Sequence, residues 1–329
     1  MIKQEVLKSF AKKNVVITGG TGLIGREIVK MLCDAGASVR IVSLDKVIVD
    51  SRAEHVLGDL TDFGFCRETT RDMDFAFQVA GIKGSVEVVK SKPASFFVPL
   101  LMMNTNFLEA CRINKIQKAV YTSSIGAYAS AEVFEETKNL EGPPMDMFPG
   151  WAKRMGELQV QAYKIQYGME NIAIVRPSNV YGPGDNFDPK NAMVIPTLMW
   201  RIMNKEDPVV VWGDGSAVRD FAYSRDVAEG TVLALYHGTR GGFVNLGDGK
   251  GYSIKELVET LRSFLDFNYH FDATKPAGFP RRVMDITLAR EIIDYNPTTS
   301  LLDGLKETWN WFTKNKDEYL RKQNYFNDK

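Results

Sequence analysis

The sequence predicts a doubly wound α/β fold, with helices on both faces of a parallel sheet, followed by a smaller and mainly C-terminal α+β lobe. Two observations support this prediction. Short β-branched and apolar runs alternate with helical patterns through the first two-thirds of the chain, which is the order typical of parallel βαβ units. After about residue 180 this alternation stops and turn-rich segments begin. We therefore expect a first domain at residues 1–178, its sheet completed by later segments, and a second lobe at residues 179–329.

The predicted strands of the first domain are short apolar runs, at residues 14–18, 38–42, 54–57, 74–79, 118–122 and 172–175. Helical periodicity predicts helices at residues 23–35, 96–112 and 152–167. In the second lobe the same patterns predict helices at residues 192–204, 253–265 and 301–312, and a strand at 209–212. Ser253 followed three residues later by Glu256 predicts a capping box at the start of a helix.

Composition excludes several classes of function. Lys and Arg together number 41, as do Asp and Glu, so a zero net charge gives no general attraction to nucleic acid or to anionic membranes. The three histidines are scattered, and the three cysteines form no CxxC pair, so we expect free thiols and no metal site. No run approaches the roughly 20 apolar residues of a membrane span, and no secretion signal is visible. We expect a cytoplasmic protein.

A glycine-rich segment at residues 18–25 follows the first predicted strand and opens the first predicted helix. Its first glycine permits a tight turn, its third permits close approach of a pyrophosphate, and its last allows the helix to pack on the strand. The N–H groups of the helix N-terminus attract phosphate. This context predicts a Rossmann-type dinucleotide site. The expected cofactor contacts here are Gly19, Gly22, Leu23, Ile24 and Gly25.

The GxxGxxG spacing of this turn resembles that of the extended short-chain dehydrogenase/reductase family, whose members mostly act on nucleotide-linked sugars. The resemblance covers residues 14–312. Ser43 stands where the family usually has an acid for the adenosine ribose, and Asp45 follows two residues later. Asp45 without a neighbouring Arg favours NAD over NADP. The other cofactor contacts that the resemblance implies are Asp59, Leu60, Ala80, Gly81, Lys153 and Pro177. A helix N-cap is the alternative role for Asp59.

The catalytic residues of the family are a Ser or Thr and a Tyr-x-x-x-Lys pair. Residues 122–128 resemble the first part, and Ser124 matches the catalytic hydroxyl. Residues 151–157 resemble the segment around the catalytic lysine, which makes Lys153 the match. A tyrosine four residues before that lysine shares its helix face, so the ammonium lowers the pKa of the phenol. Here Pro149 stands four residues before Lys153, and Phe148 stands five before it.

The sequence leaves three explanations of this departure open. Phe148 stands in place of a tyrosine, introduced so that the chain holds substrate without reacting. Alternatively Phe148 is native, and another group such as Tyr128 or a water molecule accepts the proton. In the third explanation the protein binds its ligands without reacting, as a cofactor-binding regulator or scaffold.

The resemblance also implies substrate contacts in the second lobe. Asn179 matches the residue that contacts the diphosphate or the sugar, and Val194 lies in the segment where the nucleotide docks. Arg219 and Arg281 match residues that pair with the diphosphate, where two guanidinium groups give bidentate contacts. Lys83 faces either substrate or solvent. The segment around Lys153 is most like that of GDP-sugar enzymes, such as GDP-fucose synthase-like reductases and the GDP-heptose 4-dehydrogenase of capsule biosynthesis.

The resemblance implies an NAD-dependent oxidation at C4 of a GDP-linked hexose or heptose, in capsule or surface-polysaccharide biosynthesis. Epimerisation at C4 and reduction at C4 begin or end with the same hydride transfer, so both stay open. The segment at 96–113 is apolar on too many sides for a half-exposed helix. With the helix at 152–167 it predicts a homodimer interface, in a dimer or a tetramer.

Overall fold

The structure is a computed structural model. It describes residues 2–138, 140–316 and 318, without the side chains of residues 86 and 87. The strands are β1 Asn14–Thr18, β2 Ser38–Ser43, β3 Glu54–Leu57, β4 Phe75–Gln78, β5 Lys118–Thr122, β6 Val133–Phe134, β7 Ile172–Pro177, β8 Asn179–Tyr181, β9 Val209–Trp212, β10 Val218–Arg219, β11 Phe221–Tyr223, β12 Phe243–Leu246, β13 Tyr252–Ser253, β14 Tyr269–Asp272 and β15 Arg281–Met284.

The helices are α1 Gln4–Lys8, α2 Gly25–Asp34, α3 Phe63–Thr69, α4 Val86–Ser91, α5 Pro93–Ile113, α6 Met147–Tyr167, α7 Val194–Met203, α8 Ser224–His237, α9 Ile254–Arg262, α10 Thr287–Ile293 and α11 Leu301–Lys314. The predicted capping box is confirmed, because Ser253 and Glu256 bond reciprocally at the start of α9. Helix α6 begins five residues before the predicted start at 152, so Phe148 and Pro149 lie in its first turn, where proline is tolerated.

The main sheet has seven strands in the order β12-β7-β5-β4-β1-β2-β3, and every neighbouring pair is parallel. The chain moves outward from β1 through β2 to β3, then crosses back to β4. Ligands of such sheets bind beyond the carboxyl ends of the strands, where the strand order reverses. The predicted doubly wound fold is confirmed, and the reversal lies between β1 and β4.

Apolar side chains cover both faces of this sheet. On one face Val15 and Ile17 of β1 pack with Ile28 of α2 and with residues of α8. On the other face Val16 lies in a cluster with Phe107 of α5 and with residues of α6. Successive side chains of a strand point to opposite faces of the sheet. A strand that is buried on both faces therefore has a continuous run of apolar residues in its sequence.

The second lobe carries its own apolar cluster, in which Val209, Leu257 and Leu305 pack together. Its strands form a sheet in the order β13-β10-β15-β6 and two further pairs, β11-β8 and β14-β9. The two lobes exchange strands: β12 joins the main sheet, while β6 joins the sheet of the second lobe. The boundary at residue 178 stays a prediction.

Candidate active site

The glycine-rich turn connects the carboxyl end of β1 to α2. Gly19 has a φ of +63°, and a Cβ added there would lie 2.8 Å from the Cα of Ala80. A Cβ on Gly25 would lie 2.2 Å from the carbonyl oxygen of Gly19. Neither position therefore accepts a side chain without movement of backbone. Helix α2 starts at Gly25, and the positive end of its helix dipole attracts a phosphate at the turn. The turn fits the pyrophosphate of a dinucleotide.

Polar groups gather where β2 ends, next to this turn. The Thr21 hydroxyl donates to the Asp45 carboxylate at 3.2 Å. The Ser43 hydroxyl donates to the Asp45 carbonyl at 2.9 Å and lies 2.7 Å from Nε2 of His55. The bend after β2 thus brings the Asp45 carboxylate to the glycine-rich turn, where a ribose hydroxyl would be held.

The remaining predicted cofactor contacts follow β3, β4 and β7. Asp59 accepts from the Thr61 N–H at 2.9 Å, whereas Asp62 caps helix α3, so the alternative role of Asp59 as N-cap is wrong. Leu60 is buried in the cluster on the α5 face. Ala80 and Gly81 come after β4, and a Cβ on Gly81 would lie 3.8 Å from Nζ of Lys153. Pro177 ends β7 at the same edge of the sheet.

Lys153 lies on α6, facing the carboxyl end of β5. Its ammonium donates to the Thr122 carbonyl at 2.7 Å and lies 5.5 Å from the centre of the Tyr121 ring. Burial lowers the pKa of Lys153 from 10.5 to about 8, while the nearby Glu157 acts in the opposite direction. The ammonium therefore lies between β5 and the cofactor edge, with its charge only partly compensated.

Ser124 follows directly after β5, and its hydroxyl accepts from the Gly126 N–H at 3.0 Å. The preceding Ser123 donates to Glu157, which also accepts from Nε and Nη2 of Arg176 at 2.8 and 2.6 Å. The Arg176 guanidinium lies 3.7 Å from the ring centre of Phe243. This buried network joins the serine turn to α6 and β7. Sequence reasoning missed Glu157 and Arg176, although Glu157 stands one helical turn after the lysine.

The structure places no hydroxyl at Phe148 or Pro149. The Phe148 ring packs edge-on against Phe97, with 6.1 Å between ring centres, and is 44% exposed. Two tyrosines lie nearer the lysine and the serine turn, but both hydroxyls point into protein. Tyr121 donates to the Lys153 carbonyl at 3.0 Å, and Tyr128 donates to Oδ1 of Asn245 at 2.8 Å. Burial raises the pKa of both phenols, so neither suits proton transfer with a substrate.

Three arginines of the second lobe lie on two neighbouring strands. In the parallel pair β10-β15, Arg219 is the register partner of Arg282, and Val218 is the partner of Arg281. Side chains alternate along a strand, so Arg219 and Arg282 share one face and Arg281 points to the other. A Cβ on Gly251 would lie 3.3 Å from Nη1 of Arg281. The structure therefore pairs Arg219 with Arg282, a residue that sequence reasoning missed, and separates it from Arg281.

Burial and the neighbouring Arg282 lower the pKa of Arg219 to about 10. Its Nη1 donates to the carbonyls of Val218 and Phe279 at 2.8 and 2.6 Å. Burial lowers the pKa of both Arg219 and Arg282, because it disfavours their positive charges. A bound anion would stabilise these two charges, so the pair forms a candidate anion site.

The other predicted substrate contacts lie at the start of β8, at the start of α7 and in the segment after β4. Asn179 starts β8 and donates to the Asp220 carbonyl at 3.1 Å. Lys83 donates to the Asp185 carboxylate at 3.2 Å, so part of its charge is already paired. Val194 is the first residue of α7. Burial raises the pKa of the neighbouring Asp220 to about 6, although N–H groups donate to its carboxylate.

Within the part of the chain that the structure describes, no group of His, Cys, Asp or Glu side chains has the arrangement of a metal site. Across the same residues, every helix is too short or too polar to cross a membrane.

The doubly wound sheet, the glycine turn and the Ser–Lys arrangement at one sheet edge define a dinucleotide-dependent enzyme of the extended short-chain dehydrogenase/reductase type. The chain belongs to the NAD dependent epimerase/dehydratase family, whose profile matches residues 15–247. NAD is its cofactor.

Curated relatives and solved structures agree with this assignment. A probable GDP-L-fucose synthase 1 of Oryza sativa is 31% identical over 314 residues, covering 92% of both chains. The GDP-L-fucose synthase of Escherichia coli is 31% identical over 332 residues, covering 94% of this chain and 99% of its own. An epimerase structure from Methanothermobacter thermautotrophicus superposes with a TM-score of 0.86 at 24% identity, covering 97% of each chain. The similarity to this epimerase structure shows a shared fold and nothing more.

Proposed function

We propose that the protein is an NAD-dependent oxidoreductase that acts at C4 of a nucleotide-linked hexose or heptose, with a GDP-sugar as the favoured substrate. The observation that carries this proposal is the position of Lys153 beside Gly81 at the cofactor edge, with Ser124 at the end of β5 and the Arg219–Arg282 pair on the adjoining lobe. The relatives named GDP-L-fucose synthase support the GDP-sugar, because they match nearly the whole chain.

Each part of the site has a role in this proposal. NAD, when bound, supplies the hydride acceptor. The glycine turn and Asp45 hold its pyrophosphate and adenosine ribose, and Lys153 holds the nicotinamide ribose. The Ser124 hydroxyl hydrogen-bonds the sugar oxygen at the reacting carbon. Arg219 and Arg282 bind the diphosphate, in place of the predicted pair of Arg219 with Arg281.

Oxidation, 4-epimerisation and 4-reduction share this machinery. We favour oxidation to a 4-keto sugar, in capsule or surface-polysaccharide synthesis, and keep epimerisation and reduction as alternatives. The test is incubation with NAD and a panel of GDP-, UDP- and dTDP-sugars, with absorbance of reduced nicotinamide at 340 nm and product analysis by NMR. We expect reduction of NAD by a GDP-sugar. If only a UDP- or dTDP-sugar were oxidised, the choice of guanine as the nucleotide base of the substrate would be wrong.

A catalytically silent regulator is the second candidate, and Phe148 is the observation that favours it. NAD binding with no turnover of any sugar nucleotide would support that candidate. The variant Phe148→Tyr separates the explanations of the missing phenol. A gain in rate would show that Phe148 stands in place of a tyrosine, whereas an unchanged and measurable rate would assign proton transfer to another group.

The two long helices α5 and α6 also support a homodimer. They pack on each other within the chain, where Gln159 donates to the Thr105 carbonyl at 3.1 Å. Their outer sides leave apolar side chains exposed, namely Val98, Met102, Leu158 and Ile165. A second copy of the chain would cover such a surface. Sedimentation as a monomer at micromolar concentration would refute this proposal.

A further inference from the structure

The side-chain position of Gly126 is filled by a carboxylate from elsewhere in the chain. A Cβ built on Gly126 would lie 2.2 Å from Oδ2 of Asp146 and 2.8 Å from its Cγ. The Asp146 N–H donates to the Gly126 carbonyl at 3.3 Å. This aspartate precedes α6, yet its side chain makes no capping hydrogen bond to that helix. The carboxylate is therefore directed at the turn that follows Ser124.

Asp146 belongs to a row of residues that face the end of β5. Gly150, Lys153 and Glu157 recur at the spacing of one face of α6, and Asp146 is the residue just before that helix. Gly150 closely approaches the Gly126 carbonyl, at 2.4 Å from a built Cβ, while Lys153 and Glu157 bond to Thr122 and Ser123. The carboxylate thus shares one cleft wall with the lysine and the serine turn.

The geometry of a helix relates this carboxylate to the missing phenol. Helical side chains lean toward the N-terminus and cover the preceding turn. A tyrosine at position 149, four residues before Lys153, would share the helix face of that lysine and carry its hydroxyl on the first turn of α6, which Asp146 directly precedes. Pro149 has no such group, and Asp146 presents a proton acceptor in that region.

The surroundings of Asp146 suit contact with a ligand. Its side chain is 40% exposed, and Oδ1 lies 3.4 Å from Nη1 of Arg282. Arg282 is the partner of Arg219 in the proposed diphosphate site. The carboxylate therefore lies between the Ser124 turn and the guanidinium pair, which is where the sugar of a sugar nucleotide would lie.

We propose that Asp146 is the proton acceptor of the reaction, in place of the tyrosine hydroxyl found elsewhere in the family. This inference rests on the proposed function. The sugar hydroxyl proton passes to the Asp146 carboxylate, which becomes a neutral carboxyl. The hydrogen on the same carbon leaves as a hydride for NAD, and the C–O single bond becomes a carbonyl. In the reverse direction the neutral carboxyl returns the proton. Arg282 orients the carboxylate.

The test compares Asp146→Asn and Asp146→Ala with Glu141→Gln, which changes an exposed acid on the same approach to α6. The first readout is calorimetric binding of GDP-mannose and its 4-deoxy analogue to the protein without NAD. Wild type should prefer GDP-mannose by about tenfold or more, because a hydroxyl donating to a carboxylate is a strong bond. Asp146→Ala should lose that preference, and Glu141→Gln should keep it.

The second readout is reduction of NAD by the sugar nucleotide that the wild type oxidises. Both Asp146 variants should lose about 10²–10⁴-fold in rate, with unchanged NAD affinity. Added formate should restore part of the rate in Asp146→Ala, where the removed carboxylate leaves room. Gly126→Ala should displace the carboxylate and lose activity, and should cause no further loss in an Asp146→Ala background.

Any of three results would overturn the assignment of Asp146. The Asp146→Ala variant could reduce NAD at the wild-type rate, or it could lose rate without rescue by formate while it still prefers GDP-mannose to the 4-deoxy analogue. The third result is a large gain in the rate of NAD reduction in Phe148→Tyr. A wild type that binds NAD but oxidises no sugar nucleotide in the panel would instead refute the proposed function, and the role of Asp146 with it.

Discussion

Replacement of Lys153 by methionine should make the cofactor-free protein more stable at neutral pH. Burial disfavours the ammonium and lowers the pKa of Lys153 from its ordinary value of 10.5 to about 8. The unfolded chain solvates the same ammonium freely. A folded protein that keeps this charge therefore loses stability, which a methionine of similar length would recover.

The two pKa values set the magnitude. A change from 10.5 to about 8 corresponds to about 3 kcal/mol of unfolding free energy. Lys153 still reaches the cleft, so water screens part of this penalty. The variant also loses the bond to the Thr122 carbonyl, worth about 1 kcal/mol. We expect a net gain of about 1–2 kcal/mol at pH 7.

The effect has a defined pH window. Below pH 8 both the folded and the unfolded chain carry the charged lysine, so the full penalty is present. Between pH 8 and 10.5 the folded protein releases its proton first, and wild-type stability rises relative to the variant. Above this range both states are neutral and the penalty is gone.

Urea unfolding of wild type, Lys153→Met and the exposed control Lys255→Met at pH 7 and pH 10 measures this window. The gain should be present at pH 7 only in Lys153→Met and should shrink at pH 10. A variant less stable than wild type at pH 7, or a difference independent of pH, would show that the ammonium is not penalised by burial. The same variant should bind NAD more weakly.

Gly25→Ala should weaken NAD binding by at least about tenfold in calorimetry, because its Cβ would lie 2.2 Å from the Gly19 carbonyl oxygen. Glu157→Gln should lower the free energy of unfolding by about 1.5–3 kcal/mol in urea melts, because Arg176 loses its charged partner. Met102→Lys should shift the dimer toward monomer in sedimentation, because it places a charge in the exposed apolar surface of α5.

Each of these variants has a matched control. Gly242→Ala adds a methyl group 3.8 Å from its nearest neighbour and should leave NAD affinity unchanged. Glu141→Gln removes an exposed acid and should not change the urea midpoint. Lys138→Met changes an exposed residue that belongs to neither α5 nor α6 and should not alter sedimentation. Equal effects in variant and control would contradict the corresponding argument.

The sequence alone was sufficient for the architecture and for the cofactor turn. Strand, turn and helix follow one another within residues 14–34, so the role of each glycine in the turn can be predicted from this short segment alone. The lysine of α6 and the serine after β5 were also recognisable, because each lies in a short contiguous pattern. The six strands predicted for the first domain all lie in the main sheet, whereas its seventh strand, β12, was not predicted and joins the sheet from more than 60 residues beyond β7.

Only the tertiary structure decided which arginine accompanies Arg219 and which carboxylate lies beside the serine turn. Arg281 and Arg282 are adjacent and chemically identical, and the register of β15 against β10 determines which of them faces Arg219. Asp146 comes to the empty side-chain position of Gly126 because α6 packs closely on the end of β5. Both facts depend on contacts between distant segments, which no local pattern of residues encodes.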